Sequence, residues 1–211
     1  MDPLRLPSSG ETPNAHFAHA QGLGGTPGQA YIEHRAIALS VAEAAGVRFD
    51  PDWEGRPAVL VALHNDHDTL VSVHGRYLST LRGQDKMLTV GPGEGVICVG
   101  EGWHADPLIL VEGLFDALSL AVCGFSSVAT IGRWAPWLAQ VCAGREVWLG
   151  FDGNQPGEHE ALRYSRRLPD ATVRRLVPPD RCKDWNTALC KRGRADVARW
   201  VRGRLGCTTA P

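Results

Sequence analysis

The chain has 211 residues, 44% of them hydrophobic, and a formal net charge of −1, enough to bury a real core in one domain or two small ones. No apolar stretch approaches the roughly 20 residues that span a bilayer, and Met1-Asp2-Pro3-Leu4-Arg5 lacks the charged-then-apolar order of a signal peptide, so a soluble cytoplasmic protein with no membrane partner is expected. Six cysteines without a Cys-x-x-Cys pair and eight histidines without a His-x-x-x-His pair argue against a zinc site and a disulfide framework; most of the cysteines read as buried small hydrophobes.

Residues 1–27 are rich in Pro, Gly, Ser, Thr, Ala and His and predict a flexible arm or linker. A helix is expected from Thr26 to Ala45, with Ile32, Ile37, Ala38, Val41 and Ala45 on one face and Gly46 at its end. From Pro57 to Gly100 the pattern predicts antiparallel strands over 58–63, 69–74, 87–90 and 96–99, the first two joined at Asn65-Asp66. His64, His67 and His74 fall in this region and read as sheet or surface histidines.

From Pro107 the pattern becomes strand, helix, strand, helix. Apolar strands are predicted over 108–112, 127–131, 146–152 and 172–177, with helices near 114–123, 135–142 and 157–168 and a final basic helix over 195–204. Continuous apolar strands between helical segments imply a parallel sheet covered on both faces. The fold class is therefore α/β, with a small mixed subdomain over 28–104, a parallel-sheet domain over 105–191 and a short basic tail over 192–211.

Two carboxylates close buried strands. Glu112 follows Leu108-Ile109-Leu110-Val111, and Asp152 follows Val147-Trp148-Leu149-Gly150-Phe151. In an open α/β sheet ligands bind outside the carboxyl ends of the strands, so two such carboxylates can converge on one hard cation. Asp116 lies one helical turn beyond Glu112, more than a helix cap requires. Asp152-Gly153-Asn154 places a second oxygen donor on the same loop, although Asp-Gly and Pro-Gly are also ordinary turn dipeptides. Asp184, in Lys183-Asp184-Trp185-Asn186, can cap the following helix, bind metal or phosphate, or do both.

Charge is unevenly spread. From Arg163 to Arg204 there are 13 Lys and Arg against 4 Asp, a local +9, and the remainder carries −10. That pattern suits a basic face for a polyanion, or a solvated arginine-rich helix surface. Arg163, Arg166 and Arg167 share a helical face, and with Arg174 and Arg175 are candidates for holding a nucleic-acid backbone.

The order Glu112, Asp152 with Asn154, then Lys183-Asp184-Trp185-Asn186 resembles the Toprim domain, shared by bacterial-type primases, type IA and II topoisomerases and OLD-type nucleases. Upstream, Tyr31-Ile32-Glu33-His34-Arg35-Ala36-Ile37 is similar to the signature that precedes Toprim domains in primases. Gly75-Arg76-Tyr77-Leu78 and Lys86-Met87-Leu88-Thr89 resemble the positions where their basic residues face nucleotide and template. Gly124-Phe125 and Val128-Ala129-Thr130-Ile131-Gly132 look like the phage, plasmid and mobile-element branch. The resemblance spans roughly residues 26–191 and lies in the combination of motifs.

It implies the catalytic core of a DnaG-like primase, making short RNA primers on single-stranded DNA from ribonucleoside triphosphates with Mg2+ or Mn2+. Glu112 and Asp152 are then the central carboxylates, with Asn154, Asp116 and Asp184 as further metal residues. Arg76 and Lys86 become catalytic contacts to triphosphate or template, and Arg35, Arg163, Arg167 and Lys183 join the nucleic-acid contacts. Without the resemblance, Arg76 and Lys86 read as a solvated hairpin. Three departures stand out. Asn154 removes one negative charge from the Asp-x-Asp motif, so metal binding should weaken or use fewer ions. The sequence contains no zinc-binding module, and the helical part after the Toprim segment is short, which points to a zinc-binding or helicase partner for template handling. The alternatives are a metal-dependent nuclease, in which the same carboxylates activate water, and a catalytically weak nucleic-acid-binding module.

Overall fold

The computed structural model describes Leu4–Arg5 and residues 12–206. The chain divides into two compact units, Met1–Ile97 with Gly132–Pro136, and Cys98–Ile131 with Trp137–Pro211.

The first unit holds α1 (Pro13–His19), α2 (Pro27–Glu33) and α3 (Leu39–Ala44). Its sheet is built from β1 (Leu4–Arg5), β2 (Arg48–Trp53), β3 (Arg56–His64), β4 (Leu70–Tyr77) and β5 (Met87–Val90), in the order β1-β5-β4-β3-β2. β2 to β5 pair antiparallel, and β1 joins β5 in parallel. β3 is buried without interruption from Ala58 to Leu63, so the side chains on both its faces are covered, and this is why its sequence is an unbroken apolar run. Trp53, Leu60, Val73, Tyr77, Leu88 and Val90 form a core against which Phe17 and Leu70 pack.

Four expectations for the amino-terminal half need correction. Residues 12–26 do not form an arm: Thr12 caps α1 with Pro13 in its first turn, and Ala20 and Leu23 are buried. The remainder of the expected arm, residues 1–3 and 6–11, lies outside the described residues. The helix expected over 26–45 is two helices, because the chain turns at Ala36, whose φ is 58°. The sequence pattern predicts no strand at β2 because Asp50-Pro51-Asp52 interrupts it. It is the edge strand of its sheet, with an irregular register between Asp50 and Trp53, and an edge tolerates proline. Finally, only Val96 of the last predicted antiparallel strand bridges to this sheet, at His64.

The rest of that strand, β6 (Ile97–Val99), belongs to the second sheet. With β7 (Leu108–Val111), β8 (Ser127–Ala129), β9 (Glu146–Leu149) and β10 (Thr172–Arg175) it gives the order β10-β9-β7-β8-β6. β10 with β9, β9 with β7 and β7 with β8 are all parallel. Four helices accompany these strands: α4 (Leu114–Val122), α5 (Leu138–Cys142), α6 (Gln155–Arg167) and α7 (Trp185–Leu205). All four residues of β7 are buried, each contributing about 1.5–3 kcal/mol relative to an exposed side chain. α7 starts ten residues before the helix expected there and bends at Gly193, where φ is 77° and ψ is 166°.

Of the described cysteines, Cys123, Cys142 and Cys182 are buried, Cys98 is half-buried and Cys190 is exposed; Cys207 lies outside the described residues. No described helix is long and apolar enough to cross a membrane.

Candidate functional site

β7 and β9 are parallel neighbours, with Leu110 opposite Leu149, so the residues that follow them leave the sheet at the same edge. The Gly150 N–H donates to the Leu110 carbonyl at 2.7 Å and extends this pairing one step towards Asp152. A Cβ on Gly150 would lie 3.0 Å from a Val111 methyl, which accounts for the glycine in an otherwise apolar strand. Glu112 and Asp152, both half-buried, begin the loops after these strands.

The next turn of chain is fixed by hydrogen bonds. Asn154 caps α6, its Oδ1 accepting the Gly157 N–H at 2.9 Å, while its Nδ2 donates to Asp152 Oδ2 at 3.2 Å. At position 157 an added Cβ would lie 2.1 Å from the Asp152 carbonyl oxygen. Gly153 N–H donates to the Lys183 carbonyl at 2.7 Å, joining the Asp152 loop to the segment that precedes α7.

That segment closes the site. Asp184 caps α7, its Oδ1 accepting the Thr187 N–H at 2.6 Å, and its Oδ2 pairs with Lys183 Nζ at 2.9 Å. Trp185, fully buried, donates its backbone N–H to Asp116 Oδ1 at 2.9 Å and its ring N–H to the Gly150 carbonyl at 2.7 Å. Asn186 Nδ2 donates to Ser119 Oγ at 3.0 Å. Asp184 therefore fills the capping role left open by the sequence, and α4, the two strand-end loops and α7 are tied around one group of acids.

Electrostatics confirm the crowding of these acids. Burial raises the Glu112 carboxyl above its ordinary range, and the negative charges of Asp152 and Glu160 add to it while Lys183 opposes. Asp152 is also raised, first by burial and then by Asp184. Asp116 is pushed up to about 7, by burial first and then by Asp184 and Asp152, with the Trp185 N–H pulling the other way. For Asp184 burial alone would act upward, but its hydrogen bonds from Thr187 and Lys183 outweigh it and the carboxyl is lowered. Lys183 is raised, chiefly by its hydrogen bond to Asp184.

Among the described residues no three His, Cys, Asp or Glu side chains are gathered as one ligand set. A hard cation of the Mg2+ type needs only one or two carboxylates and retains water for its other positions. Glu112 and Asp152 fit that chemistry, because each is a half-buried carboxylate in a field of like charge that a cation relieves. The other three expected metal residues each have an oxygen committed within the fold: Asp116 to Trp185, Asn154 to Gly157, and Asp184 to both Thr187 and Lys183.

Two features of this unit escaped sequence reasoning. Arg175, grouped by sequence with the surface arginines, bonds the carbonyls of Leu149 and Asp152 at 2.7 Å and the Glu158 carboxylate, also at 2.7 Å, so it fastens the Asp152 loop. Trp185 does the same for Gly150 and Asp116. Arg174 pairs with Glu146 at 2.8 Å. Arg163, which pairs with Glu160, and Arg166 and Arg167 lie exposed on the outer face of α6, where with His159 and Leu162 they line an open depression.

In the first unit Arg76 stands on β4 opposite Met87 of β5, and Arg35 follows the end of α2. Both guanidinium groups reach the phenolic oxygen of Tyr31, Arg35 Nη2 at 2.9 Å and Arg76 Nε at 3.3 Å. Lys86 is exposed just before β5, its carbonyl accepting the Tyr77 N–H.

A mostly parallel sheet with an acidic cluster at its carboxyl edge is the kind of site where α/β folds bind ligands, and comparison with known proteins makes the fold specific. Residues 109–189 match a Toprim-like family model, and residues 9–92 match a domain of unknown function (DUF7146). The chain resembles the primase fragment of the bacteriophage T7 primase-helicase protein, at 21% identity and a TM-score of 0.59, over 80% of this chain and 72% of that one. A DnaG primase catalytic domain bound to ssDNA aligns at 18% identity and a TM-score of 0.68, over 90% and 77% of the two chains. The E. coli primase catalytic core aligns at 18% identity and a TM-score of 0.66, over 90% and 78%. A comparison with curated proteins found no match. Residues 109–189 thus have a Toprim-like fold, and the chain resembles, in fold, the catalytic cores of primases.

Proposed function

We propose that the chain is a primase-like nucleotidyltransferase core that makes short RNA primers on single-stranded DNA. What supports this reading is the pair of strand-end carboxylates, Glu112 and Asp152, within a segment that matches a Toprim-like family model, in a fold that aligns to primase cores over most of its length.

In this reading Glu112 and Asp152 hold a divalent cation, Mg2+ or Mn2+. The ion would neutralise charge that develops as a hydroxyl attacks the α-phosphate of an incoming ribonucleotide and pyrophosphate leaves. Asn154 orients Asp152 through its amide. Asp184 and Asp116 hold the start of α7 against the two loops, and the Lys183 ammonium faces phosphate oxygens. Arg76, Lys86 and Arg35 supply cations for triphosphate or template, and Arg163 and Arg167 a sequence-independent contact to nucleic-acid backbone. A helicase or zinc-binding partner belongs to this reading, since the T7 structure is the primase fragment of a primase-helicase protein.

One observation favours a second reading. The amide at position 154 donates to Asp152 where an Asp-x-Asp motif would carry a second acid, as expected of a nucleic-acid-binding module with weakened catalysis. Incubating the protein with single-stranded template, Mg2+ or Mn2+ and labelled ribonucleotides separates the possibilities. New oligoribonucleotide supports primer synthesis, shortened template a nuclease, and a mobility shift alone the binding module.

A further inference from the structure

An uncharged residue joins two of the basic side chains of the first unit. Tyr31 lies in α2, four residues before Arg35 and 45 before Arg76, yet its phenolic oxygen lies 2.9 Å from Arg35 Nη2 and 3.3 Å from Arg76 Nε. A guanidinium is a donor only, so the phenolic oxygen accepts both bonds. The Arg35 guanidinium carbon also lies 4.7 Å from the centroid of the Tyr31 ring, close enough for a cation–π contact.

The main chain that carries Arg76 is fixed as well. β4 is an interior strand, and a Cβ on the preceding residue, Gly75, would lie 2.2 Å from the ring nitrogen of Trp53. Trp53 therefore packs directly on the backbone beside Arg76. Among the described residues the bond to Tyr31 is the one side-chain hydrogen bond of Arg76. It engages Nε and leaves the paired terminal nitrogens Nη1 and Nη2 open. That pair is the fork with which arginine binds phosphate through two parallel hydrogen bonds.

We propose that Tyr31 is a positioning residue that holds Arg76 by Nε, beside Arg35, so that the Nη1/Nη2 fork of Arg76 is presented to a phosphate group. The proposal rests on the reading of the first unit as a phosphate-handling part of a primase-like core. The phosphate belongs either to a ribonucleoside triphosphate or to the backbone of a single strand, and the same chemistry serves both.

The test uses the full chain with Tyr31→Phe, Arg76→Gln and the double variant. Tyr31→Phe keeps the ring, and with it the packing of α2 and the contact to Arg35, and removes only the oxygen. Binding of ATP with Mg2+ and of a labelled oligodeoxythymidylate is measured for each protein, alongside thermal unfolding. Tyr31→Phe should weaken one of the two ligands by about three- to tenfold, the worth of one hydrogen bond, and the ligand affected identifies the source of the phosphate. In the Arg76→Gln background the same substitution should cost nothing further, a coupling that a merely structural tyrosine would not show. In primer synthesis it should raise KM for the affected ligand and leave kcat nearly unchanged. Wild-type affinity for both ligands in Tyr31→Phe, an undiminished penalty in the Arg76→Gln background, or no binding of either ligand by the wild type would each overturn the proposal. Coupled binding without primer formation would instead uphold it and count against the primase reading alone.

Discussion

Asp116→Asn tests the acidic cluster without reference to catalysis. In the folded protein burial and the charges of Asp184 and Asp152 push the Asp116 carboxyl up to about 7, from an ordinary value of 3.8. Between those values the folded state binds more protons than the unfolded state, so stability must fall as pH rises through that window and the penalty is complete above about 7. A displacement of about three units corresponds to roughly 4 kcal/mol, an upper figure because neighbouring carboxylates share the strain. Asparagine keeps an oxygen for the Trp185 N–H at 2.9 Å and cannot ionise. In chelator-treated protein, urea unfolding should therefore show Asp116→Asn more stable than wild type at pH 8, by about 2–4 kcal/mol, with the advantage vanishing near pH 4. Mg2+ at pH 8 should narrow the gap, because a cation near Asp152 favours the ionised form. A variant less stable at pH 8, or a difference that does not vary with pH, would refute the reasoning.

Three further outcomes follow from the site. Asn154→Asp restores a negative charge beside Asp152 and should tighten Mn2+ binding in calorimetry by roughly tenfold, the Coulomb gain of one charge acting on a divalent ion about 5 Å away in a water-like dielectric; equal or weaker binding would count against Asp152 as a ligand. Gly157→Ala drives a Cβ onto the backbone carbonyl oxygen of Asp152, which cannot swing aside as a flexible side chain would. It should cost about 2–4 kcal/mol in denaturant unfolding and weaken Mn2+ binding. Arg175→Met removes the donor to the Leu149 and Asp152 carbonyls and should weaken Mn2+ binding more than Arg163→Met on the exposed face of α6. Equal effects of the two would deny Arg175 its fastening role.

The elements legible in the sequence are those whose burial is simple. β3 and β7 are covered on both sides, so their residues read as unbroken apolar runs, and Glu112 and Asp152 stand out as the acids that end such runs. β2 was lost because an edge strand carries Asp50-Pro51-Asp52 through an irregular register. The start of α1 is marked by Thr12-Pro13, the same cap-and-proline start as Thr26-Pro27, and both threonines accept an N–H from their own helix. Val96 to Val99 read as one antiparallel strand because periodicity does not say which sheet a strand joins; only Val96 bridges to the first sheet. The candidate acids were legible as residues, but the groups that hold them were not. Arg175 and Trp185 act through bonds to partners 17 to 69 residues away, and local pattern carries no trace of such pairings.

The most direct measurement of the central claim is primer synthesis by wild type and Glu112→Gln, with single-stranded template, Mn2+ or Mg2+ and labelled ribonucleotides. The account predicts short oligoribonucleotides from the wild type and a loss of roughly 100-fold or more in the variant, as expected when a charge that holds the catalytic cation is removed. Undiminished synthesis by Glu112→Gln would contradict it.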